Sequence, residues 1–183
     1  WGLGMRMEET LSFPKNTVLG TAEDQTVIFQ VGEVIGKQCR MVGIHLNFAP
    51  VVDVNNNPDN RVIGARSFGG DPHQVAACAA LMIKGMAKGG VLTCAKHFPG
   101  HGDTATDSHL GLPLIQKSKQ ELLDNELYPF QKLIDEGVDS VMVGHLSVPE
   151  LANGKTISSS ISKEIIKGFL RKEMRFKGVV ISD

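Results

Sequence analysis

The 183-residue sequence has few aromatic residues, almost no net charge and no long hydrophobic run. Only 5% of the residues are aromatic, and 19 basic side chains oppose 20 acidic ones. A nucleic-acid-binding protein usually has a clear basic excess, so this charge balance argues against such a partner. Every apolar run is far shorter than the ~20 residues that a membrane-spanning helix needs. We therefore expect neither a nucleic-acid partner nor a membrane span in this segment.

Cysteine is also scarce, and its spacing excludes the usual cysteine frameworks. Cys39, Cys78 and Cys94 are an odd number and form no CxxC pair, so we expect three buried, unpaired thiols instead of a disulfide framework or a zinc site. Unpaired thiols suit a reducing compartment without excluding export, which leaves both a cytoplasmic and a periplasmic location open. Neither GxGxxG nor GxxxxGK[ST] occurs, and we expect no cofactor.

Four short apolar runs predict four buried parallel strands. They lie at 43–48, 91–95, 140–144 and 178–182, and their lack of alternation is typical of strands that are covered on both faces. Helical patterns fill the intervals, with start signals at Asp71-Pro72 and at the Ser118/Glu121 capping box. This regular alternation of strand and helix predicts an α/β fold with a parallel sheet.

Polar residues near the strand ends distinguish between the two common parallel α/β architectures. Five of them end or follow a predicted strand: Asp53, Lys96, His97, His145 and Asp183. In a (β/α)8 barrel several strands each contribute a residue to the carboxyl rim, whereas a doubly wound sheet builds its site at one switch point. We therefore predict part of a (β/α)8 TIM-type barrel with about four strand–helix units. Because a whole barrel needs roughly 250 residues and the last apolar run reaches the final residue, we expect 1–183 to be an incomplete barrel domain.

The densest group of reactive side chains follows the second predicted strand. Residues 96–109 read KHFPGHGDTATDSH. Within this segment the Asp107 carboxylate can hold one nitrogen of the His109 ring and favour its protonated form, which makes a competent general acid/base. A solvated loop whose polar residues hold a turn fits the same pattern. A metal site is disfavoured, because no HExxH-type spacing is present and Lys96 would repel a cation.

The other candidates are weaker when each is taken alone. Asp53 fits either a site residue or the cap of the following turn, and Arg66 fits either an anchor for a sugar or phosphate or a surface arginine. His145 fits a structural histidine of the rim better than a ligand. Asp183 ends an apolar strand, where a carboxylate is costly unless it is paired or used, and this favours a functional role.

Taken together, these segments resemble glycoside hydrolase family 3, and within it the bacterial β-N-acetylglucosaminidase (β-N-acetylhexosaminidase) branch. The resemblance rests on residues 96–109 and on the blocks 47–53, 62–69 and 178–183, which occur in the same order as in the family. It covers essentially the whole chain. It implies a barrel domain that belongs to a longer enzyme.

The resemblance also implies roles for individual residues. Asp183 corresponds to the catalytic nucleophile, His109 to the general acid/base, and Asp107 to the carboxylate that orients it. The residues that correspond to, or lie beside, substrate-binding positions at the rim are Lys96, His97, Arg66, Arg6, His145 and Asp53. The family's further sugar-binding aspartate would lie upstream of residue 1, so we expect the active site to be incomplete within these residues.

The reaction implied by the resemblance is retaining hydrolysis of terminal β-linked N-acetylglucosamine through a covalent glycosyl-enzyme on Asp183. It needs no cofactor and no metal. The expected partner is a carbohydrate, an N-acetylglucosaminide such as a cell-wall fragment from bacterial peptidoglycan recycling. Three alternatives stay open: a β-glucosidase of the same family, a phosphorylase, and a barrel fragment that binds sugar without catalysis. The 107–109 element argues against the glucosidase, whose branch generally takes its acid/base from another domain.

Overall fold

The computed structural model describes residues 2–104 and 111–183. The predictions for Asp107 and His109 therefore lie outside the described residues. The strands form one parallel sheet in chain order: β1 Leu46–Asn47, β2 Leu92–Phe98, β3 Ser140–Val143 and β4 Val179–Ser182. This arrangement confirms the four predicted strands and their parallel pairing.

The first strand is shorter than its apolar run predicts. Regular pairing with β2 ends at Asn47, because the Ala49 amide turns back to the Asn47 carbonyl and Pro50 has no N–H to donate. Contact with β2 continues irregularly, since the Ala49 carbonyl accepts from the Cys94 amide at 2.9 Å and the Val52 amide donates to the carbonyl of Lys96 at 2.8 Å. This second contact holds the segment after β1 against the end of β2.

Helices fill the intervals between strands, as the sequence pattern predicts. They are α1 Asn16–Gly20, α2 Thr26–Met41, α3 Pro72–Lys88, α4 Lys119–Asp124, α5 Tyr128–Asp135 and a π-helix at Glu164–Glu173, with 3₁₀ turns at Leu3–Met5, Gly64–Arg66, Pro149–Ala152 and Ser159–Ile161. Asp71 caps α3 by accepting from the His73 amide at 3.0 Å, and the Ser118/Glu121 capping box of α4 is fully formed. The last helix differs from the ordinary α-helix in that the Met174 amide reaches the Phe169 carbonyl, one residue further back than in an α-helix.

The apolar core lies between the sheet and the helices and is held by two kinds of close contact. α2 and α3 approach each other through glycine: a Cβ at Gly32 would lie 2.6 Å from the Met82 carbonyl oxygen. Next to β2, the rings of Phe98 and Phe130 meet edge to face with centroids 5.3 Å apart. The cysteines lie in this interior as free, buried thiols, which confirms the prediction made from their spacing. No helix within 2–104 or 111–183 has the length and apolarity to cross a membrane.

Candidate active site

The carboxyl edge of the sheet collects the polar residues that the sequence placed at strand ends. Asp53 follows β1, and Lys96 and His97 lie near the end of β2. His145 follows β3, and Asp183 follows β4. Arg66 comes from the 3₁₀ turn Gly64–Arg66 between β1 and α3. Because the strands are parallel and adjacent, residues far apart in sequence share one edge.

His97 leaves the strand ladder at this edge. Lys96 pairs with Met142 of β3 and Phe98 pairs with Val143, so His97 is an extra residue between two consecutive pairs. A bulge of this kind re-aims a side chain, and such bulges are common next to active sites. Here the His97 ring turns toward the segment after β1.

Asp53 receives that ring in the interior of the protein. Its carboxylate is 0% exposed, and Oδ2 lies 2.8 Å from Nδ1 of His97. Oδ1 accepts the backbone amide of His101 at 2.7 Å, and the amide of His97 adds longer contacts of 3.2 and 3.3 Å. The carboxylate therefore ties the exit of β1 to the end of β2 and to the loop that follows.

The other nitrogen of His97 faces Arg66. Nη2 of Arg66 lies 3.2 Å from Nε2 of His97, and Nη1 donates to the Val62 carbonyl at 3.1 Å. A guanidinium can only donate, so Nε2 must accept, and the ring proton sits on Nδ1, where it is donated to Asp53. Arg66, His97 and Asp53 thus form one hydrogen-bonded chain that leads from the protein surface to the interior.

Burial and neighbouring charges shift the pKa of two groups at this edge. Burial alone would raise the pKa of the Asp53 carboxyl, but the adjacent His97 ring and the backbone hydrogen bond from His101 outweigh it and lower this pKa. Burial and the nearby Arg66 guanidinium lower the pKa of Lys96, although the Asp183 and Asp53 carboxylates oppose this shift. The site therefore holds its acid ionised and its lysine partly desolvated.

A cavity of about 480 Å³ opens beside these groups. Arg6, Arg66 and Lys96 line it together with Asn47, and much of the remaining wall is apolar, including Phe48. Three predicted substrate-binding residues thus share one cavity. Among the predicted residues that the structure describes, those that do not line it are His97, Asp53, His145 and Asp183. The first two reach the cavity wall through Arg66.

Asp183 and His145 meet at the same edge, next to β3. The Asp183 amide donates to the Val143 carbonyl at 3.1 Å, and its own main-chain oxygen lies 2.6 Å from Nε2 of His145. Since that oxygen can only accept, Nε2 carries the proton, and Nδ1 accepts from the Ser160 hydroxyl at 2.7 Å. Two main-chain hydrogen bonds therefore hold Asp183 at the end of β4.

An ion-paired network joins residues that precede and follow positions 105–110 in the sequence. Lys117, which follows the segment, lies 2.5 Å from Asp103, which precedes it, and 2.5 Å from the fully buried Glu126. Burial lowers the pKa of Lys117, but the hydrogen bonds to Asp103 and Glu126 outweigh it and raise this pKa. Close by, the His101 ring bonds to the Thr104 hydroxyl at 2.6 Å.

Within 2–104 and 111–183, no three His, Cys, Asp or Glu side chains lie close enough together to hold a metal ion. The sequence interpretation named the site's charged residues but missed Ser160, Lys117 and Glu126, which hold it in place. Ser160 stands in a run of serines and Glu126 in the turn between α4 and α5, and neither position carries a local sequence signal that points to a distant partner.

A parallel strand–helix unit with histidine, carboxylate and cationic side chains at its carboxyl edge is typical of an α/β barrel-type domain. The chain belongs to glycosyl hydrolase family 3, since the model of that family's N-terminal domain matches residues 1–183. It is 37% identical to beta-hexosaminidase A of Pseudoalteromonas piscicida over 96% of this chain and 32% of that protein. It is 41% identical to a beta-hexosaminidase of Neisseria meningitidis over 90% of this chain and 44% of that protein. The chain thus spans less than half the length of these relatives.

Solved structures agree in fold. A family 3 β-N-acetylglucosaminidase from Paenibacillus sp. superposes with a TM-score of 0.93 at 40% identity, over 97% of this chain and 34% of that one. NagZ of Neisseria gonorrhoeae, solved with N-trifluoroacetyl-D-glucosamine, gives 0.88 at 38% identity, over 97% and 53%. The beta-glucoside phosphorylase BglX gives 0.93 at 29% identity, over 97% and 33%. These TIM-barrel-like neighbours bear out the predicted fold class.

Proposed function

We propose that the full-length protein carrying this chain is a retaining exo-β-N-acetylhexosaminidase that hydrolyses terminal β-linked N-acetylglucosamine. The observation that carries the proposal is the meeting of Arg66 and Lys96 in one cavity, at the sheet edge where Asp183 follows β4. The names of the relatives, beta-hexosaminidase and β-N-acetylglucosaminidase, support the substrate class.

In the proposed first step the Asp183 carboxylate attacks the anomeric carbon as the bond to the leaving oxygen breaks. His109, oriented by Asp107, gives its proton to that oxygen. In the second step the neutral His109 takes a proton from water, whose oxygen attacks the anomeric carbon and releases Asp183. The β configuration is retained, because the anomeric carbon is inverted twice. The position of Asp183 at the end of β4, held through its main chain by His145 and Val143, supports the nucleophile assignment.

The proposed sugar subsite is the polar part of the cavity. Arg6, Arg66 and Lys96 carry donors and no acceptors, which suits the oxygens of sugar hydroxyl groups. We propose His97 as a member of this subsite through its contact with Arg66, and His145 as the residue that holds Asp183. The natural substrate in this proposal is an N-acetylglucosaminide, such as a cell-wall fragment from peptidoglycan recycling.

A phosphorylase is the second candidate function, and the cationic cavity favours it specifically. Arg6, Arg66 and Lys96 would attract an anionic acceptor, and BglX, a structural neighbour, is a phosphorylase by its name. In such an enzyme phosphate replaces water in the second step. The product is then a sugar phosphate instead of a free sugar.

One set of assays tests these proposals. The full-length protein is offered an aryl β-N-acetylglucosaminide and an aryl β-glucoside, each with and without phosphate, beside the variants Asp183→Asn and Asp135→Asn. We expect cleavage of the N-acetylglucosaminide that Asp183→Asn abolishes and that Asp135→Asn, an exposed carboxylate on α5, leaves intact. Preference for the glucoside would overturn the substrate class, and a sugar phosphate product would establish the phosphorylase. No turnover of either substrate would favour a binding domain.

A further inference from the structure

We propose that Asp53 is a positioning residue, which fixes the His97 ring with its proton on Nδ1 so that Nε2 accepts from Arg66. Asp53 then acts on the sugar subsite through these two residues and has no contact with the sugar itself. The inference rests on the proposed function only for its catalytic consequence. The arrangement of the ring proton is a property of the free protein.

Both carboxylate oxygens of Asp53 accept hydrogen bonds. Its oxygens accept from Nδ1 of His97 at 2.8 Å and from the amide of His101 at 2.7 Å, with the His97 amide close to both oxygens. The residue is 0% exposed, so no solvent competes for these bonds. A carboxylate in the protein interior is unfavourable unless its hydrogen bonds are satisfied, and these donors satisfy it.

The main chain of Asp53 also holds the segment that carries Arg66. The Ser67 hydroxyl donates to the Asp53 carbonyl at 2.6 Å, and Ser67 directly follows Arg66. The side-chain amide of Asn16 donates to the Arg66 carbonyl at 2.7 Å. Asp53 therefore holds His97 through its side chain and the Arg66 segment through its backbone.

The position of the proton on the His97 ring decides whether His97 and Arg66 can form a hydrogen bond. With the proton on Nδ1, Nε2 offers a lone pair to Nη2 of Arg66 at 3.2 Å. With the proton on Nε2, two donors would face each other at this distance, and Arg66 would have to move away from its place in the cavity wall. Asp53 can only accept when ionised, so it selects the first arrangement.

The variant Asp53→Asn tests this role because it keeps the shape and changes the chemistry. The oxygen that asparagine keeps must face the backbone amide of His101, which can only donate, so the new NH₂ group faces Nδ1. That contact is favourable only if the ring proton moves to Nε2. In the full-length protein with ¹⁵N-labelled histidine, we expect wild-type His97 to show a protonated Nδ1 and a bare Nε2. In Asp53→Asn we expect loss of that signature and a roughly tenfold to hundredfold fall in kcat/KM, with a higher KM.

Two further variants separate positioning from simple stability. Asp139→Asn is the matched control, because its carboxylate also accepts a strand amide, that of Thr93 at 2.9 Å, but at the opposite end of the sheet. We expect it to leave the His97 signature and KM unchanged. Arg66→Gln should keep the proton on Nδ1, since Asp53 and not Arg66 selects it. A change of tautomer in Arg66→Gln would overturn the proposal.

The outcomes also separate this proposal from the proposed function. A wild-type His97 with its proton on Nε2, or on both nitrogens at neutral pH, overturns the positioning role whatever the activity. If the Nδ1 proton is present and is lost in Asp53→Asn, the positioning role stands even if no N-acetylglucosaminide is cleaved. If Asp53→Asn does not fold, the wild-type spectrum and Arg66→Gln still decide.

Discussion

Nε2 of His145 lies 2.6 Å from the main-chain oxygen of Asp183, across the carboxyl edge between β3 and β4. The Ser160 hydroxyl bonds to the other ring nitrogen at 2.7 Å, so the imidazole is held at both ends. The ring thus acts on the backbone of the proposed nucleophile. This contact joins two residues that are 38 positions apart in the chain.

From this contact we predict that His145→Ala lowers kcat by about tenfold and leaves KM nearly unchanged, since one hydrogen bond of ordinary strength is lost. Steady-state kinetics on an aryl β-N-acetylglucosaminide measure both constants. His45→Ala, an exposed histidine ahead of β1, is the control and should match the wild type. A His145→Ala variant that raises KM alone would assign His145 to sugar binding instead.

The ion pair between partly buried Lys117 and fully buried Glu126 predicts a large effect on stability. Lys117→Met removes the cation that faces the fully buried Glu126, and we expect a loss of about 3–5 kcal/mol in the free energy of unfolding. Lys119→Met is the control, because its pair with Glu173 is exposed and should contribute less than about 1 kcal/mol. Chemical denaturation compares the two. Equal losses would show that the Glu126 site is not desolvated.

The backbone at Gly102 lies so close to the backbone at Val54 that a side chain at position 102 would be destabilising. A Cβ at this position would collide with the Val54 carbonyl oxygen, so Gly102→Ala must displace either the loop after β2 or the segment after β1. We expect a loss of about 1–3 kcal/mol of stability together with a fall in kcat/KM. Gly168→Ala is the control, since a Cβ there meets no atom within 4 Å. Thermal melts and initial rates on both variants check this, and an unchanged Gly102→Ala would contradict the packing.

The pH dependence of stability follows from the lowered pKa of Asp53. A carboxyl whose pKa is lower in the folded protein stabilises it above the usual carboxyl pKa, about 3.9 for aspartate. That stability is lost as the pH falls through the folded value. We therefore expect the free energy of unfolding of the wild type to fall on acidification below about pH 4. In Asp53→Asn it should fall less steeply, as urea titrations at a series of pH values would show. Parallel acid limbs would contradict this prediction.

Much of the fold was predictable because its signals are local. Apolar runs marked the strands, and Asp71-Pro72 and the Ser118/Glu121 pair marked two helix starts that the structure confirms. The short β1 and the π-helix at Glu164–Glu173 were not predictable in the same way. Strand pairing and helix winding depend on neighbours that are distant in sequence, and a single stretch of chain does not contain that information.

In the candidate site, too, the local features were predictable and the long-range contacts were not. Strand ends indicated where its polar residues would lie, and the family resemblance implied their roles. The contacts of Asp53 with His97 span 44 positions, and that of Arg66 with His97 spans 31. Such partnerships arise only when the chain folds. Asp53 therefore looked like one more substrate ligand from sequence, whereas its burial and its hydrogen bonds support a positioning role.

The most direct test of the account is to trap the covalent intermediate. The full-length protein is incubated with a fluorinated N-acetylglucosaminide that forms the glycosyl-enzyme faster than water removes it, and the labelled peptide is located by mass spectrometry. We expect one sugar residue on Asp183 and none in the Asp183→Asn variant. A label on another carboxylate, or catalytic turnover with no covalent adduct, would contradict the proposed mechanism.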